Sequence, residues 1–146
     1  MKNTEKNKAQ VFLDTNILID NSLFRGTEAL AIEHIMDSAM DNRCELHIAT
    51  HSLTNMYYIL RANYSEAERK LLILNYCATC TVEKINKERI ENAIDNDYAK
   101  DLEDALQIQC AIESKCDYFI TRDKYLFKKC PIKTMLPHEL IKELSL

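Results

Sequence analysis

Glycine is the most informative shortage in this chain, because Gly26 is the only glycine among 146 residues. A Walker P-loop and a GxGxxG dinucleotide fingerprint each need several glycines, since the backbone there must approach phosphate closely. The sequence therefore excludes ATP, GTP and NAD chemistry by those two routes. We expect no nucleotide cofactor.

The chain also lacks a long apolar run. No stretch approaches the roughly 18 apolar residues of a membrane span, and the opening MKNTEKNKAQ is too polar for a signal peptide. Hydrophobic residues make up 47% of the chain and charged residues 29%, which is typical of a globular protein. We expect one domain over residues 1–146 with a polar tail at 1–8, located in the cytoplasm and away from membranes.

Cysteine and charge both bear on the class of protein. Cys77 and Cys80 form a CxxC, but a structural zinc site needs a second pair of ligands at recognisable spacing, so we interpret the six cysteines as free thiols. The net charge of −4 argues against a large basic surface for nucleic acid. It does not exclude a nuclease that binds phosphate through metal ions held by acids.

Apolar strand patterns alternate with helical patterns along the chain. Strands are predicted at 10–13, 45–49, 81–85, 117–121 and 132–136. Helices are predicted at 15–20, 27–43, about 50–63, 65–77 with a Ser65/Glu68 capping box, 86–96, 101–115 and from Pro137 onwards. Continuous apolar strands indicate a parallel sheet, so we predict an α/β fold, a three-layer α/β/α sandwich around a mostly parallel five-stranded sheet.

Polar side chains follow the ends of several predicted strands. Asp14 ends the first strand, and Asp123 lies just past the fourth. Asp101 and Asp104 occupy the first turn of the helix that precedes the fourth strand, and Asn55 lies about one turn into the helix after the second. Because parallel strands present their carboxyl ends at one edge, where ligands bind, we predict that these side chains converge there.

Convergence of carboxylates indicates a cation. Two carboxylates about 5 Å apart repel by roughly 3 kcal/mol at an effective dielectric near 20. Oxygen ligands without nearby cysteine or histidine suit Mg²⁺ or Mn²⁺, and such an ion activates water for attack on a phosphodiester. Asp101 and Asp104 share a helix face, whereas Glu103 is expected to point elsewhere.

Each acid also has a local explanation. Asp101 is suited to capping its helix, Asp14 to an Asx-turn, and Asp123 to capping the turn RDKYLF. Asp104 is different, because it lies inside its helix, directly before Ala105, where a capping role is no longer available. Asp104 is therefore the strongest single indication of a functional site.

Three segments together resemble the PIN domain, a family of metal-dependent nucleases: FLDTNIL (12–18), DLEDALQIQCAIE (101–113) and DYFITRD (117–123). The similarity runs from about Gln10 to Leu144, and among bacterial members the chain looks most like VapC-type toxins. The resemblance implies an endoribonuclease that uses Mg²⁺ or Mn²⁺ and forms the toxin component of a type II toxin–antitoxin system. It also implies an RNA substrate, an antitoxin partner and a homodimer.

The resemblance assigns roles to individual residues. It implies catalytic and metal-binding roles for Asp14, Asp104 and Asp123, a further metal-binding role for Asp101, and accessory roles for Asn55, Thr15, Asn16 and Thr121. One position departs from the family, which commonly has glutamate where this chain has Asn55. Since an amide adds no charge, metal binding should weaken, and Asp101 is preferred over Glu103 as a replacement for the missing charge.

Two other classes of function stay open. A receiver or aspartyl-phosphatase domain also places acids at strand ends, but its phosphoacceptor is often followed two residues later by a second acid, where this chain has Asn16. A PIN-like RNA-binding module with weakened or lost catalysis is the second alternative, because Asn55 replaces an acid. Covalent catalysis is not expected, since no histidine pairs with a serine or cysteine in a known motif.

Substrate contacts are less defined by the sequence. A basic rim around Asp123 and an ordinary mixed-charge surface are both compatible with the positions of Arg61, Arg122, Lys124, Lys128 and Lys129. Four tyrosines are candidates for base stacking: Tyr57, Tyr58, Tyr64 and Tyr125. Helical spacing favours a core position for Tyr57.

Overall fold

The computed structural model describes residues 7–146, which form a parallel sheet between two layers of helices. The strands are β1 (Ala9–Leu13), β2 (Cys44–Ala49), β3 (Thr81–Glu83), β4 (Tyr118–Ile120) and β5 (Lys133–Met135). They lie in the order β3-β2-β1-β4-β5, and each neighbouring pair is parallel. The predicted α/β/α fold is confirmed, whereas most of the predicted polar tail at 1–8 lies outside the described residues.

Seven α-helices connect or follow these strands in the described part of the chain, and a short 3-10 helix (Leu60–Ala62) follows the third of them. They are α1 (Thr15–Leu23), α2 (Ala29–Met40), α3 (Thr50–Ile59), α4 (Glu66–Thr79), α5 (Lys87–Asn96), α6 (Leu102–Glu113) and α7 (Pro137–Leu144). The predicted capping box is present at the start of α4, where the Glu68 N–H donates to Ser65 Oγ and the Ser65 N–H donates to Glu68 Oε2. Helix α1 runs three residues further than predicted and ends before Phe24, which has a left-handed conformation.

Alternation along β1 divides the core between the two faces of the sheet. Val11 and Leu13 point to one face and pack in the cluster that includes α1, α2, α3, α4 and α7. Phe12 points to the other face, where it stacks on Phe119 with ring centroids 5.4 Å apart and packs near Ile108 of α6. The period of two in a strand therefore produces the three layers that the sequence predicts.

Strand order fixes the place where a ligand binds. The chain builds β1, β2 and β3 towards one side and then returns to place β4 on the other side of β1. The carboxyl ends of β1 and β4 therefore flank the point where the direction of winding reverses, which is the usual ligand crevice in open α/β sheets. Asp14 directly follows β1, and Thr121 directly follows β4.

The described residues contain neither a membrane helix nor a disulfide. No helix in the range 7–146 has both the length and the apolar character needed to cross a bilayer. All six cysteines are free thiols, as predicted. Burial raises the pKa of Cys80 and that of Cys116 to about 12, so these two thiols are protonated and poorly nucleophilic at neutral pH.

Candidate functional site

Asp14 is held in a single orientation at the centre of the sheet edge. It occupies the N-cap position of α1, directly after β1, and is only 2% exposed. Gln107 Nε2 donates to its Oδ1 at 3.1 Å, and Thr121 Oγ1 donates to its Oδ2 at 2.9 Å. Burial raises the pKa of Asp14, while these bonds and the backbone N–H groups of Asn16 and Thr15 act in the opposite direction.

A buried network fixes the residues around Asp14. The side chain of Gln107 donates to Asp14 and also accepts a bond from the Thr15 N–H at 2.9 Å, so both ends of the amide are used. The Thr15 hydroxyl lies 2.6 Å from Ser52 Oγ on α3. Sequence reasoning missed Gln107 and Ser52. The available signal for Gln107 was a polar residue within the apolar run of α6, one turn after Asp104.

Asp104 lies half-buried in the first turn of α6, among other acids. Burial raises its pKa, and the negative charges of Asp14, Asp101, Glu103 and Asp123 raise it further, to about 6. The structure thus brings the carboxylates of Asp14, Asp104 and Asp123 to one edge of the sheet, within electrostatic reach of one another. Two of these four charges, Asp14 and Asp123, lie far from Asp104 in the sequence, so the local arrangement of α6 alone does not account for the repulsion.

Asp101 and Asp123 also make local contacts. Asp101 caps α6, because its Oδ1 accepts the Asp104 N–H at 3.1 Å. Asp123 Oδ1 accepts the Leu126 N–H at 3.4 Å, and the Asp123 N–H donates to Thr121 Oγ1 at 3.1 Å. One oxygen of each carboxylate is therefore engaged locally, while the charge of each still acts on Asp104.

Asn55 contacts Glu103, which corrects one prediction. The Asn55 side-chain amide on α3 donates to Glu103 Oε1 on α6. The expectation that Glu103 points away from the acids was wrong. Its carboxylate is near enough to Asp101 and Asp14 for their charges, together with burial, to raise its pKa. The bond across to α3 turns Glu103 towards the site, which spacing along α6 alone did not predict.

His51 lies beside this pair in the first turn of α3. Burial lowers the pKa of its imidazole, although the nearby backbone of Glu103 and the charge of Asp101 act in the opposite direction. Within residues 7–146, neither ring nitrogen has a hydrogen-bond partner. A neutral imidazole adds no positive charge to the acidic edge, so it does not offset the repulsion there.

The chemistry of these donors fits a hard divalent cation, although the side chains do not form a finished cage. Across the described residues, no three acidic, histidine or cysteine side chains are arranged to hold one metal ion together. Carboxylate oxygens are suited to Mg²⁺ or Mn²⁺. The repulsion among these acids, which raises the pKa of Asp104, would be relieved by such a cation. Asp14 is already held in place by Gln107 and Thr121.

The predicted basic rim divides into paired and open residues. Arg122 Nη1 lies 3.2 Å from the buried carboxylate of Asp20, and Lys124 Nζ lies 2.6 Å from Glu139. Arg61 stacks over the Tyr58 ring, with its guanidinium carbon 3.8 Å from the centroid. These cations are therefore engaged within the fold, whereas Lys100, Lys128 and Lys129 line a cleft beside Asp104.

The fold and the acidic sheet edge together define a class of protein, and comparison with known families identifies it. A family model of the PIN domain matches residues 10–125, so the chain belongs to the PIN domain family. Proteins of this family are generally nucleases. No curated protein matches the chain significantly.

Several solved structures share the fold. VapBC2 from Rickettsia felis, bound to a DNA fragment from its promoter, is 12% identical over 87% of this chain and 98% of that chain, with a TM-score of 0.66. A toxin–antitoxin complex from Klebsiella pneumoniae is 21% identical over 87% and 97%, with a TM-score of 0.64. VapC20 of Mycobacterium tuberculosis, a toxin that cleaves the sarcin–ricin loop, is 10% identical over 84% and 95%, with a TM-score of 0.66.

Proposed function

We propose that this chain is a divalent-metal-dependent endoribonuclease and the toxin component of a type II toxin–antitoxin system. The observation that carries the proposal is Asp104, whose pKa is raised to about 6 by burial and by four other carboxylates gathered at one sheet edge. Membership of the PIN domain family supports a nuclease, and the similarity to VapC20, a toxin that cleaves RNA, supports RNA as the substrate.

Asp14, Asp104 and Asp123 would hold the cation, with Asp101 contributing charge. When bound, Mg²⁺ or Mn²⁺ supplies an activated water and stabilises negative charge on the phosphodiester. Gln107 and Thr121 keep Asp14 in a fixed orientation, and Thr121 also fixes the backbone of Asp123. Such positioning avoids reorganisation of the ligands when substrate binds.

Glu103 is proposed to supply the charge that Asn55 lacks. The amide of Asn55 holds the Glu103 carboxylate beside the acids, so the pair places one negative charge where the family commonly has a glutamate. Asp101 is less suited to that role than the sequence suggested, because its Oδ1 caps α6.

The variant Asn55→Glu tests this assignment. The new carboxylate would contact Glu103, so we expect a loss of about 1 kcal/mol in metal-free stability from like-charge repulsion in a partly solvated site. Mn²⁺ affinity, measured by calorimetry, should rise because a charged ligand is added. Unchanged stability and unchanged affinity would show that this part of α3 does not face the metal site.

Partners of this chain are proposed on the same basis. Solved neighbours include toxin–antitoxin complexes, which supports an antitoxin as partner. We further propose that the protein acts in the cytoplasm, where its RNA substrate is found, and that it forms a homodimer. A short neighbouring reading frame for a DNA-binding protein would support the toxin assignment, and gel filtration would measure the oligomeric state.

A second candidate is a PIN-like RNA-binding module without catalysis. It is favoured by one observation, the amide at Asn55 in place of an acid. The two candidates differ in metal-dependent cleavage, because a binding module retains RNA without cutting it.

An RNA cleavage assay with Mn²⁺ separates the candidates. Transfer RNA and structured RNA would be incubated with the wild-type protein and with Asp104→Asn, which lacks the central charge. We expect cleavage by the wild type, none by the variant and none after chelation of the metal. Intact RNA with the wild type, despite measurable RNA binding, would establish the binding module instead.

A further inference from the structure

A cleft of about 390 Å³ opens next to Asp104, and Asn55 is not part of its lining. One wall is formed by residues 97–101 and Asp104, at the start of α6. The opposite wall is formed by Tyr125, Leu126, Lys128 and Lys129, which follow Asp123. The volume lies in the range of about 300–1,000 Å³ that small-ligand sites occupy, and the cleft adjoins the acids without including Asp14.

The two walls of the cleft carry opposite charge. Three aspartates, Asp97, Asp101 and Asp104, lie on the α6 side together with Lys100, whereas Lys128 and Lys129 face them. Lysines and aspartates are equal in number, so the formal charge is zero, and a bound divalent cation would make it positive. The lysine wall is suited to phosphate with or without that cation, while the aspartate wall belongs to the acidic site.

Two lysines of the cleft, Lys100 and Lys129, are available to a ligand, while the Lys128 ammonium lies over the Tyr125 ring. Arg122 and Lys124, which precede them, are paired with Asp20 and Glu139. In the described part of the chain, no ion pair involves Lys100, Lys128 or Lys129. The basic side chains near Asp123 are thus divided into structural cations and cations that face the cleft.

Tyr125 provides an aromatic surface in the same wall. The residue is 75% exposed, and the Lys128 ammonium lies 4.7 Å from its ring centroid. An exposed phenol ring costs hydrophobic free energy unless something covers it, and every nucleobase has a flat face that stacks on such a ring. The adjoining lysines place positive charge beside that ring, as a backbone phosphate would require.

We propose that this cleft binds an unpaired nucleotide of single-stranded RNA next to the scissile phosphate, with its base on Tyr125 and its phosphates at Lys128 and Lys129. The proposal rests on the proposed function and specifies which part of the substrate lies on which side of the acids. Because a stacked base must leave its duplex, the cleft selects unpaired segments such as loops.

Fluorescence anisotropy with a short, labelled single-stranded RNA tests the subsite without cleavage, in the presence of EDTA. Tyr125→Ala is expected to weaken binding about tenfold, which lies in the range for loss of one base–aromatic stack. The double variant Lys128→Gln/Lys129→Gln should weaken binding and flatten its dependence on salt by about one to two in the logarithmic slope. A duplex of the same sequence should bind more weakly than the single strand.

Matched controls exist in the same chain. Tyr58 is 63% exposed and also lies under a cation, Arg61, but is on α3 outside the cleft. Tyr58→Ala should therefore leave affinity unchanged. Lys115 and Lys142 are exposed and lie outside the cleft, so Lys115→Gln/Lys142→Gln removes equal charge and should have little effect.

The outcomes separate the subsite from the proposed function. Equal losses of RNA affinity in the cleft variants and their controls would overturn the subsite. It would also be overturned if poly-glutamate displaced the RNA and Tyr125→Ala had no effect, because that result would indicate a peptide site. With Mn²⁺ present, intact cleavage and an unchanged KM in the cleft variants would contradict the subsite alone. Cleft-dependent RNA binding without any cleavage by the wild type would contradict the nuclease and leave the subsite in place.

Discussion

Asp104 is an acid whose ionisation is strongly opposed by its surroundings. Its pKa rises from the ordinary 3.8 to about 6, so the folded protein holds the proton to higher pH than the unfolded chain does. The proton on Asp104 therefore contributes to the free energy of unfolding. This contribution is complete below about pH 4 and is lost as the pH rises through about 6. Ionised Asp104 therefore destabilises the metal-free fold at neutral pH, and a bound cation relieves that cost.

We predict that Asp104→Asn stabilises the metal-free protein at neutral pH. The expected gain is about 1 kcal/mol after allowance for solvent screening of a half-buried group, and it should vanish towards about pH 4. Urea unfolding in EDTA, at neutral pH and at about pH 4, measures this gain in stability. Asp37→Asn, which removes an exposed carboxylate on α2, serves as the control and should change little. A clear loss of stability in Asp104→Asn would mean that this side chain is structural.

Gln107 is predicted to stabilise both the fold and the orientation of Asp14. Gln107→Leu removes two buried hydrogen bonds, the one accepted from the Thr15 N–H and the one donated to Asp14 Oδ1. The expected cost is about 3 kcal/mol, measured by urea unfolding. Mn²⁺ affinity should also fall, because Asp14 loses its fixed position.

Gln109 is the matched control for this prediction. It is also buried on α6, but its Oε1 accepts a single bond, from Asn96 at 2.8 Å. Gln109→Leu should cost about 1 kcal/mol and leave Mn²⁺ affinity unchanged. Equal losses of stability in the two variants would show that the bonds to Thr15 and Asp14 contribute nothing specific.

Helix α6 is the element that organises the site, because its first two turns carry four of the polar residues. Asp101 caps the helix, Glu103 reaches Asn55 on α3, and Gln107 fixes Asp14. Asp104 lies between them, among the other acids. Glu103 thus links the start of α6 to α3, and Gln107 links it to Asp14 at the end of β1.

Two substitutions at Asp101 separate its cap from its charge. Asp101→Asn keeps a side-chain oxygen for the Asp104 N–H but removes the charge, whereas Asp101→Ala removes both. Both changes relieve repulsion on Asp104, so the alanine variant should be less stable than the asparagine variant by about 1 kcal/mol. Thermal or urea unfolding measures the difference. Equal stability of the two variants would mean that the cap is not a stabilising contact.

The strands and helices could be predicted from the sequence because the patterns that indicate them are local. Continuous apolar runs predicted all five strands to within two residues at each end, and the Ser65/Glu68 pair predicted the start of α4. Helix α2 was predicted from 27 but begins at Ala29, because Gly26 and the residues after it form a turn. Local patterns fix the existence of an element better than its ends.

Contacts between elements were harder to predict than the elements. The gathering of Asp14, Asp104 and Asp123 at one edge followed from the geometry of a parallel sheet, without knowledge of any contact. The Asn55–Glu103 bond and the pairing of Arg122 with the buried Asp20 depend on how helices pack, which no spacing within one helix reveals. Sequence reasoning therefore predicted that these acids meet at one edge but missed Gln107 and Ser52, which lie in the hydrogen-bond network around Asp14.

For the whole molecule, the account requires that one divalent cation be shared by acids from three separate segments. Calorimetric titration of Mn²⁺ into the metal-free wild type, Asp14→Asn, Asp104→Asn and Asp123→Asn tests this most directly. Glu33→Gln, on the exposed face of α2, is the control. We predict binding by the wild type and the control, and a loss of about tenfold or more, 1.4 kcal/mol, in each of the three variants. No binding by the wild type, or unchanged affinity in any of the three, would contradict the account.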